Sequence, residues 1–254
     1  MTHRLLILGG TMEARLLAQR LAARADLDIT LSLAGRTLNP VAQPVPTRTG
    51  GFGGAAGLAD YLRRERIDLL VDATHPFAAR ISANAAEAAR RAAVSLLTLR
   101  RPAWRRQEGD DWTEVGSVAE AVAALGATPR RVFVTLGRQE LRPLEAAPHH
   151  AYVIRSVDPV EPPLALPDAR YILDRGPFDV QRERALLESL GIEVILSKNS
   201  GGEAAHGKIA TARGLGLPVV MVARPPVSGD AVTTVEEAVE KVAHLLPPMA
   251  RRGE

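Results

Sequence analysis

The sequence predicts an α/β protein with two Rossmann-like domains, each built on a mostly parallel sheet, and an intervening cleft. Strand-to-helix turns marked by glycine occur twice, at Leu5–Ala14 and at Val132–Leu141, and each is typical of the start of such a sheet. With 254 residues, 46% of them hydrophobic, the chain can bury two modest cores. We place the domain boundary between residues 128 and 129, beside the polar hinge Gly126–Arg130.

The composition excludes several classes of protein. The chain has no cysteine, so it has no disulfide, thiolate nucleophile or Cys-ligated metal, and we expect no metal site. It has no apolar run near the roughly 18 residues of a membrane span, and its N-terminal apolar stretch is short. We therefore expect a cytoplasmic protein with no membrane partner. Its net charge of only +3 and its aromatic content of 4% argue against a nucleic-acid partner.

The first half begins with a strand and a turn suited to phosphate. Leu5–Leu8 is a short apolar run, and Gly9 and Gly10 end it where the backbone turns into a helix beginning near Thr11 and Met12. Free N–H groups at a helix start point outward, and glycines let a pyrophosphate approach the backbone closely. The turn lacks the three-glycine fingerprint of dinucleotide sites, so a second signal is required.

That second signal follows the next strand, Asp28–Ala34. Gly35, Arg36 and Thr37 stand where a dinucleotide fold contacts the adenosine ribose. NAD-selective sites place an acid there, whereas the guanidinium of Arg36 suits a 2′-phosphate. The sequence thus favours NADPH over NADH, the alternative being an arginine that merely solvates a loop.

A glycine-rich loop, Gly50–Gly54, precedes a predicted helix over Ala55–Arg66. Its glycines indicate close approach of the backbone to a flat or charged group. In the strand order of a dinucleotide fold this loop borders the adenine, which makes Gly51 and Phe52 candidate cofactor residues. A flexible turn is the alternative interpretation.

The predicted strand Ile67–Val71 carries polar residues at its C-terminal end. Thr74 and His75 follow it, and ligands of open parallel sheets lie beyond the carboxyl ends of the strands. Both residues therefore fall near the expected nicotinamide. A histidine that caps a helix would fit the same position. After one more strand, the pattern predicts a helix over Glu114–Leu125.

Cations recur at the ends of the strands predicted in the second half. Because the ends of parallel strands converge, such cations can bind several carboxylates of one ligand. The candidate substrate-binding residues are Arg138, Arg155, Lys198, Asn199, Ser200 and Arg224. The alternative is that each cation makes a helix-dipole contact or a weak surface pair.

Six motifs occur in order along the chain: GGTMEA, GGFGG, DATHPFA, TLGRQEL, SKNSGG and KIATARGLGLPVVMVARP. Together, from Arg4 to Pro225, they resemble the precorrin-6A reductase family of the cobalamin (vitamin B12) pathway. The resemblance implies NADPH-dependent reduction of one double bond of precorrin-6A, a highly carboxylated tetrapyrrole, to give precorrin-6B. It implies an NADPH-binding domain in residues 1–128 and a second domain in residues 129–254 that completes the substrate cleft. The proton would come from water, His75 or Lys198.

Two other functions remain open. A non-catalytic NADP-binding sensor would share the first glycine turn and Arg36 but would not need the cationic strand ends. The second is another NADPH-dependent oxidoreductase of an acidic substrate. If it were a short-chain-type oxidoreductase or epimerase acting on a carbonyl, it would normally carry a Tyr-x-x-x-Lys pair. No tyrosine here has lysine four residues later, because Tyr61, Tyr152 and Tyr171 are followed by Glu65, Ser156 and Arg175. The oligomeric state is left open.

Replacing Arg36 tests the predicted cofactor preference. We expect Arg36→Glu to weaken NADPH binding by about tenfold to a hundredfold, the size of a lost hydrogen bond to a charged group. NADH, which lacks the 2′-phosphate, should lose much less affinity. Titration calorimetry with both dinucleotides measures the difference, and equal weakening of the two would remove the role assigned to Arg36.

Overall fold

The computed structural model describes residues 2–35, 37, 41–226 and 230–247. The strands in these ranges are β1 His3–Leu8, β2 Leu27–Leu33, β3 Thr47–Thr49, β4 Leu69–Asp72, β5 Ser95–Thr98, β6 Trp112–Val115, β7 Arg131–Thr135, β8 Ala151–Ser156, β9 Ala169–Leu173, β10 Val194–Lys198 and β11 Val219–Val222. The helices are α1 Met12–Leu21, α2 Gly54–Arg64, α3 Ala79–Ala92, α4 Val118–Ala124, α5 Val180–Ser189, α6 Gly207–Leu215 and α7 Val235–Leu245. None of these helices combines the length and apolarity needed to cross a bilayer.

The strands form two parallel sheets. The first has five strands in the order β3-β2-β1-β4-β5, and the second has six in the order β6-β11-β10-β7-β8-β9. Every strand pair in both sheets is parallel, which confirms the predicted α/β class. Strand order reverses between β1 and β4 in the first sheet and between β7 and β10 in the second. Such reversals are the topological switch points beyond which α/β proteins bind ligands.

The apolar run of β1 reads as continuous because both faces of the first sheet are covered. Leu5 and Ile7 point to one face and pack with residues of α1 and α7. Leu6 and Leu8 point to the other face and pack with residues of α2 and α3. This alternation places β1 between two apolar layers. Packing on both faces therefore fixes the end of the strand, from which the turn begins.

The chain divides into two compact units that differ from the predicted halves. Unit 1 comprises the described residues within 1–102 and 226–254, and unit 2 comprises residues 103–225. The boundary lies before residue 103 because β6 pairs with β11 in the second sheet. The C-terminal segment returns to unit 1, where Val235, Ala238 and Val242 of α7 are buried in its core.

The helix predicted over Glu114–Leu125 is only partly correct. Glu114 belongs to β6, where it is registered with Met221 of β11. The helix begins at Val118 because the Ser117 hydroxyl accepts a hydrogen bond from the N–H of Glu120 at 3.1 Å, as an N-cap does. Gly116 separates the strand from this cap.

Strand β9 and helix α7 were also absent from the sequence prediction. Strand β9 lies at the edge of the second sheet, and its residues are exposed or half-buried, so its apolar pattern is weak. Helix α7 begins with a capping box, in which Thr234 and Glu237 each bond the other's backbone N–H. This S/T-x-x-E pattern was a usable signal in the sequence.

His150 is a buried titratable group at the start of β8. Its side chain is 1% exposed, and its Nδ1 accepts a hydrogen bond from the N–H of Arg130 at 3.2 Å. Burial lowers the pKa of His150, and repulsion from the neighbouring His149 and Arg130 lowers it further. The folded protein therefore favours neutral His150.

We expect the free energy of unfolding to fall as the pH drops below about 6.5, because the unfolded chain then binds a proton that folded His150 resists. His150→Gln, which keeps a hydrogen-bond acceptor, should show a smaller loss of stability between pH 7.5 and 5.5. Urea denaturation at both pH values measures this, with His244→Gln at an exposed histidine as the control. An unchanged pH dependence in His150→Gln would contradict the assignment.

Candidate functional site

The β1–α1 turn lies at the switch point of the first sheet. Thr11 caps α1, since its Oγ1 accepts a hydrogen bond from the N–H of Ala14 at 3.1 Å. The same hydroxyl donates to the carbonyl of Ala73, just beyond β4, at 2.8 Å. One side chain thus ties the start of α1 to the strand on the other side of the switch point.

Both glycines of this turn are required by its geometry. A Cβ on Gly9 would lie 2.8 Å from Cδ1 of Leu31, too close for any side chain without movement of that leucine. Gly10 has a φ of +108°, which other residues rarely adopt. Helix α1 begins at the exposed Met12, so the free N–H groups of its first turn lie at the carboxyl edge of the sheet.

A cavity of about 370 Å³ opens at the carboxyl ends of β1, β2 and β4. It brings together four of the predicted cofactor residues, namely Gly9, Gly51, Phe52 and Thr74. The sequence prediction missed others in the lining, among them Leu8, Ser32, Ala34, Leu58, Arg80, Ile81 and Asn84. The last three lie at helical spacing on the first turns of α3, directly after the DATHPFA motif, and that spacing was the signal available.

The remaining predicted cofactor residues of the ribose region lie after β2. Gly35 has a φ of +74°, and a Cβ there would approach Cγ2 of Thr49 to 3.2 Å. Thr37 is described and half-buried, whereas Arg36 lies outside the described residues. The assignment of Arg36 to a 2′-phosphate therefore stays a prediction from the sequence.

The polar end of β4 is organised around Asp72. Its Oδ1 accepts hydrogen bonds from the N–H of Thr74 at 3.1 Å and from the Thr74 hydroxyl at 2.7 Å. Both side chains are buried. Nδ1 of the adjacent His75 accepts from the N–H of Phe77 at 3.3 Å, so neutral His75 carries its proton on Nε2.

In unit 2 the predicted cations all occur at the carboxyl end of the second sheet. Lys198 ends β10 and Arg155 lies near the end of β8, while Arg138 and Arg224 follow β7 and β11. These four strands are adjacent in the order β11-β10-β7-β8, as the prediction requires. The environments of the cations nevertheless differ.

Lys198 lies at the switch point and forms an ion pair with Glu140. Lys198 is 9% exposed, and Glu140 belongs to the short 3-10 turn that follows β7. Gly137 makes room for this carboxylate, because a Cβ there would lie 3.0 Å from Oε2 of Glu140. Nearby, the hydroxyls of Thr135 and Ser197 are 3.1 Å apart and connect β7 to β10. The sequence prediction had not singled out Glu140.

Arg155 was predicted to bind a carboxylate of the substrate. In the structure it is an internal residue of unit 2 and binds the carboxylate of Glu183. Arg155 is 5% and Glu183 2% exposed, and they form a two-point ion pair in which Nη2 lies 2.9 Å from Oε2. The guanidinium also lies over the ring of Phe178 at 3.7 Å. A partner inside the fold thus already neutralises this charge.

The loop between β10 and α6 is held by Asn199 and Arg224. The Asn199 amide accepts from the N–H of Trp104 at 2.8 Å and donates to the Trp104 carbonyl at 2.9 Å. Arg224 donates to the carbonyls of Asn199 and Ser200 at 2.7 and 2.8 Å. Half-buried Arg138 donates to the Pro159 carbonyl at 3.5 Å. Asn199 and Arg224 therefore shape the loop that presents Ser200.

Comparison with known proteins gives a consistent result over nearly the whole chain. The profile of the family described as "Precorrin-6x reductase CbiJ/CobK" matches residues 4–243. A precorrin-6A reductase of Sinorhizobium sp. is 59% identical over 246 residues, covering 96% of this chain and 94% of that protein. One from Rhodobacter capsulatus is 52% identical over 234 residues, covering 92% and 93%. A solved structure titled "CobK precorrin-6A reductase" has a TM-score of 0.93 and 49% identity, and the match covers 99% of this chain and 100% of that one.

The buried Arg155–Glu183 pair generates a stability prediction. Glu183→Ala should lower the free energy of unfolding by about 3–5 kcal/mol, because it leaves the Arg155 charge buried and uncompensated. On the same helix, Glu188 forms an exposed pair with Arg184, and Glu188→Ala should cost about 0–1 kcal/mol. Urea denaturation of both variants measures the difference, and equal costs would show that the buried pair is not a structural requirement.

Proposed function

Since the chain belongs to the precorrin-6x reductase family CbiJ/CobK, we propose that it uses NADPH to reduce one double bond of precorrin-6A, giving precorrin-6B in cobalamin biosynthesis. The observation that carries this proposal is 59% identity to a precorrin-6A reductase over 96% of the chain. The family resemblance predicted from the six motifs is confirmed. Neither alternative, the non-catalytic sensor or the short-chain oxidoreductase, gains support from the comparisons.

The cofactor site proposed for unit 1 uses the residues at its switch point. The pyrophosphate would lie against Gly9, Gly10, Thr11 and Met12, where free N–H groups of α1 and the helix dipole favour an anion. The adenosine would occupy the 370 Å³ cavity, whose lining includes the apolar Phe52, Leu58 and Ile81 and the polar Ser32 and Asn84. The glycine turn at the start of α1 suits the anionic part of a dinucleotide, and the mixed apolar and polar lining of the cavity suits its adenosine part.

The nicotinamide end is assigned to Thr74 and His75, beyond β4. When bound, the cofactor supplies a hydride for the conjugated macrocycle. The contribution of the chain is orientation, because well-aligned donor and acceptor carbons lower a barrier by roughly 7–11 kcal/mol. The Asp72–Thr74 hydrogen bonds fix the backbone at that position. The preference for NADPH over NADH is assigned to Arg36, whose guanidinium suits a 2′-phosphate.

The substrate is assigned to unit 2. Arg138, Lys198, Asn199, Ser200 and Arg224 lie along the carboxyl end of one sheet, which suits the several carboxylate arms of a precorrin. Arg155 has a different part in this proposal. It supports the end of β8 from inside through Glu183 and does not bind the ligand directly.

Two residues are candidates to deliver the proton that accompanies the hydride. His75 carries its proton on Nε2, and Lys198 is an ammonium at the switch point of the second sheet. Water is the third candidate. A conjugated macrocycle is already electrophilic, so catalysis does not require a strong acid.

The proposal predicts a direct assay. Under anaerobic conditions, the pure protein with NADPH and precorrin-6A should oxidise the dinucleotide and give a tetrapyrrole heavier by two hydrogens, measured by absorbance and mass spectrometry. Absence of both changes would reject the assignment. In single-turnover experiments, the proton donor is the residue whose replacement slows reduction about a hundredfold or more. The variants compared are His75→Ala and Lys198→Met, with Lys241→Met on α7 as a control.

A further inference from the structure

We propose that Arg48 is a positioning residue that fixes the Gly50–Gly54 loop at the adenosine end of the cofactor cavity. This inference rests on the proposed function and deepens it, because it separates the residue that shapes the cavity from the residue assigned to the 2′-phosphate. Arg48 belongs to none of the six motifs. Its position on the short edge strand β3 gave no signal in the sequence.

The register of the first sheet brings Arg48 to the end of β2. Arg48 of β3 is paired with Ser32 of β2, and Ser32 lines the cavity. Nη1 of Arg48 donates to Oγ of Ser32 at 2.8 Å and to the carbonyl of Gly50 at 3.0 Å. Nη2 reaches the carbonyl of Gly51 at 3.4 Å. One guanidinium therefore connects the end of a strand to two consecutive loop carbonyls.

Aromatic contacts extend this connection to α2. The guanidinium carbon of Arg48 lies 3.8 Å from the centre of the Phe52 ring, which packs edge-on against Tyr61 with 5.0 Å between ring centres. The loop also lies directly on the helix, since a Cβ on Gly57 would come within 1.8 Å of the Phe52 carbonyl oxygen. Arg48 thus stands between the sheet and a loop seated on α2.

The loop has particular need of such a support. Gly50, Gly53 and Gly54 have φ values of +116°, +81° and +89°, a conformation that glycine adopts freely and also leaves freely. Gly50, Gly51 and Phe52 all line the cavity, whereas Arg48 does not. The donors of Arg48 are directed at protein oxygens, so we assign its charge to the loop and not to the cofactor phosphate. A planar guanidinium can stack flat on a ring while its in-plane N–H groups reach several carbonyls, whereas the compact ammonium of lysine has no such plane.

The test compares Arg48→Lys with wild type for both dinucleotides. We expect the affinities for NADPH and NADH to fall by a similar factor, about tenfold, the size of one lost hydrogen bond to a charged group. The KM for NADPH should rise with kcat nearly unchanged. The control is Arg64→Lys. The guanidinium of exposed Arg64 lies over the same Tyr61 ring at 5.3 Å but pairs with Glu65, and its replacement should leave both affinities unchanged.

Hydrogen exchange of the cofactor-free protein keeps this inference separate from the proposed function. In Arg48→Lys, faster exchange confined to residues 50–54 is expected, with thermal stability close to wild type. Unchanged exchange in the loop would overturn the positioning role even if the assay confirms NADPH use. A selective loss of NADPH affinity, with NADH unaffected, would also overturn it, because it would make Arg48 a phosphate ligand. If the wild-type protein bound neither dinucleotide, the proposed function would be rejected. The positioning role of Arg48 would then be decided by hydrogen exchange of residues 50–54 alone.

Discussion

Parallel pairing across the β1–β4 switch point is the constraint on which the first unit depends. The pairing brings the ends of the two strands together, and the Thr11 hydroxyl then bonds the Ala73 carbonyl across the gap. Because both faces of β1 are packed, the strand cannot shift its register without moving Leu5 and Leu6 to the wrong layers. This packing and the Thr11 hydrogen bond constrain the glycine turn, although glycine itself is permissive. A rigid turn can present N–H groups to an anion with little loss of entropy.

The second unit repeats the architecture but uses charge differently. Lys198 and Glu140 form a pair at the switch point, where the glutamate side chain remains partly exposed. Arg155 and Glu183 form a pair that is nearly inaccessible to solvent. A buried pair must be matched inside the fold because desolvation of an unpaired charge is costly. Cations at corresponding strand ends can thus have different surroundings: Arg155 is paired wholly inside the fold, whereas the carboxylate partner of Lys198 is partly exposed.

The two units also show how a chain can be divided differently from its sequence order. In the sequence, β6 precedes β7, the strand that leads into the second glycine-marked turn. In the structure, β6 pairs with β11 at the edge of the second sheet. The C-terminal helix α7 returns to the first sheet, where Val235 and Val242 fill the layer that contains Leu5 and Ile7. Each unit therefore owes part of its core to a segment remote in sequence, which a search for consecutive halves does not find.

The sequence by itself determined the α/β class, the parallel sheets, the glycine turn, the family and most strand ends, because these depend on local apolar runs, glycines and motifs. Only the tertiary structure decided which side chains share an environment. Arg48 supports the Gly50–Gly54 loop because β3 pairs with β2 in one register, and Arg155 is internal because α5 carries Glu183 against β8. Local sequence patterns predict neither contact, since Arg48 and Ser32 are 16 residues apart and Arg155 and Glu183 are 28 residues apart. Long-range packing, which periodicity does not encode, assigned these two arginines their roles.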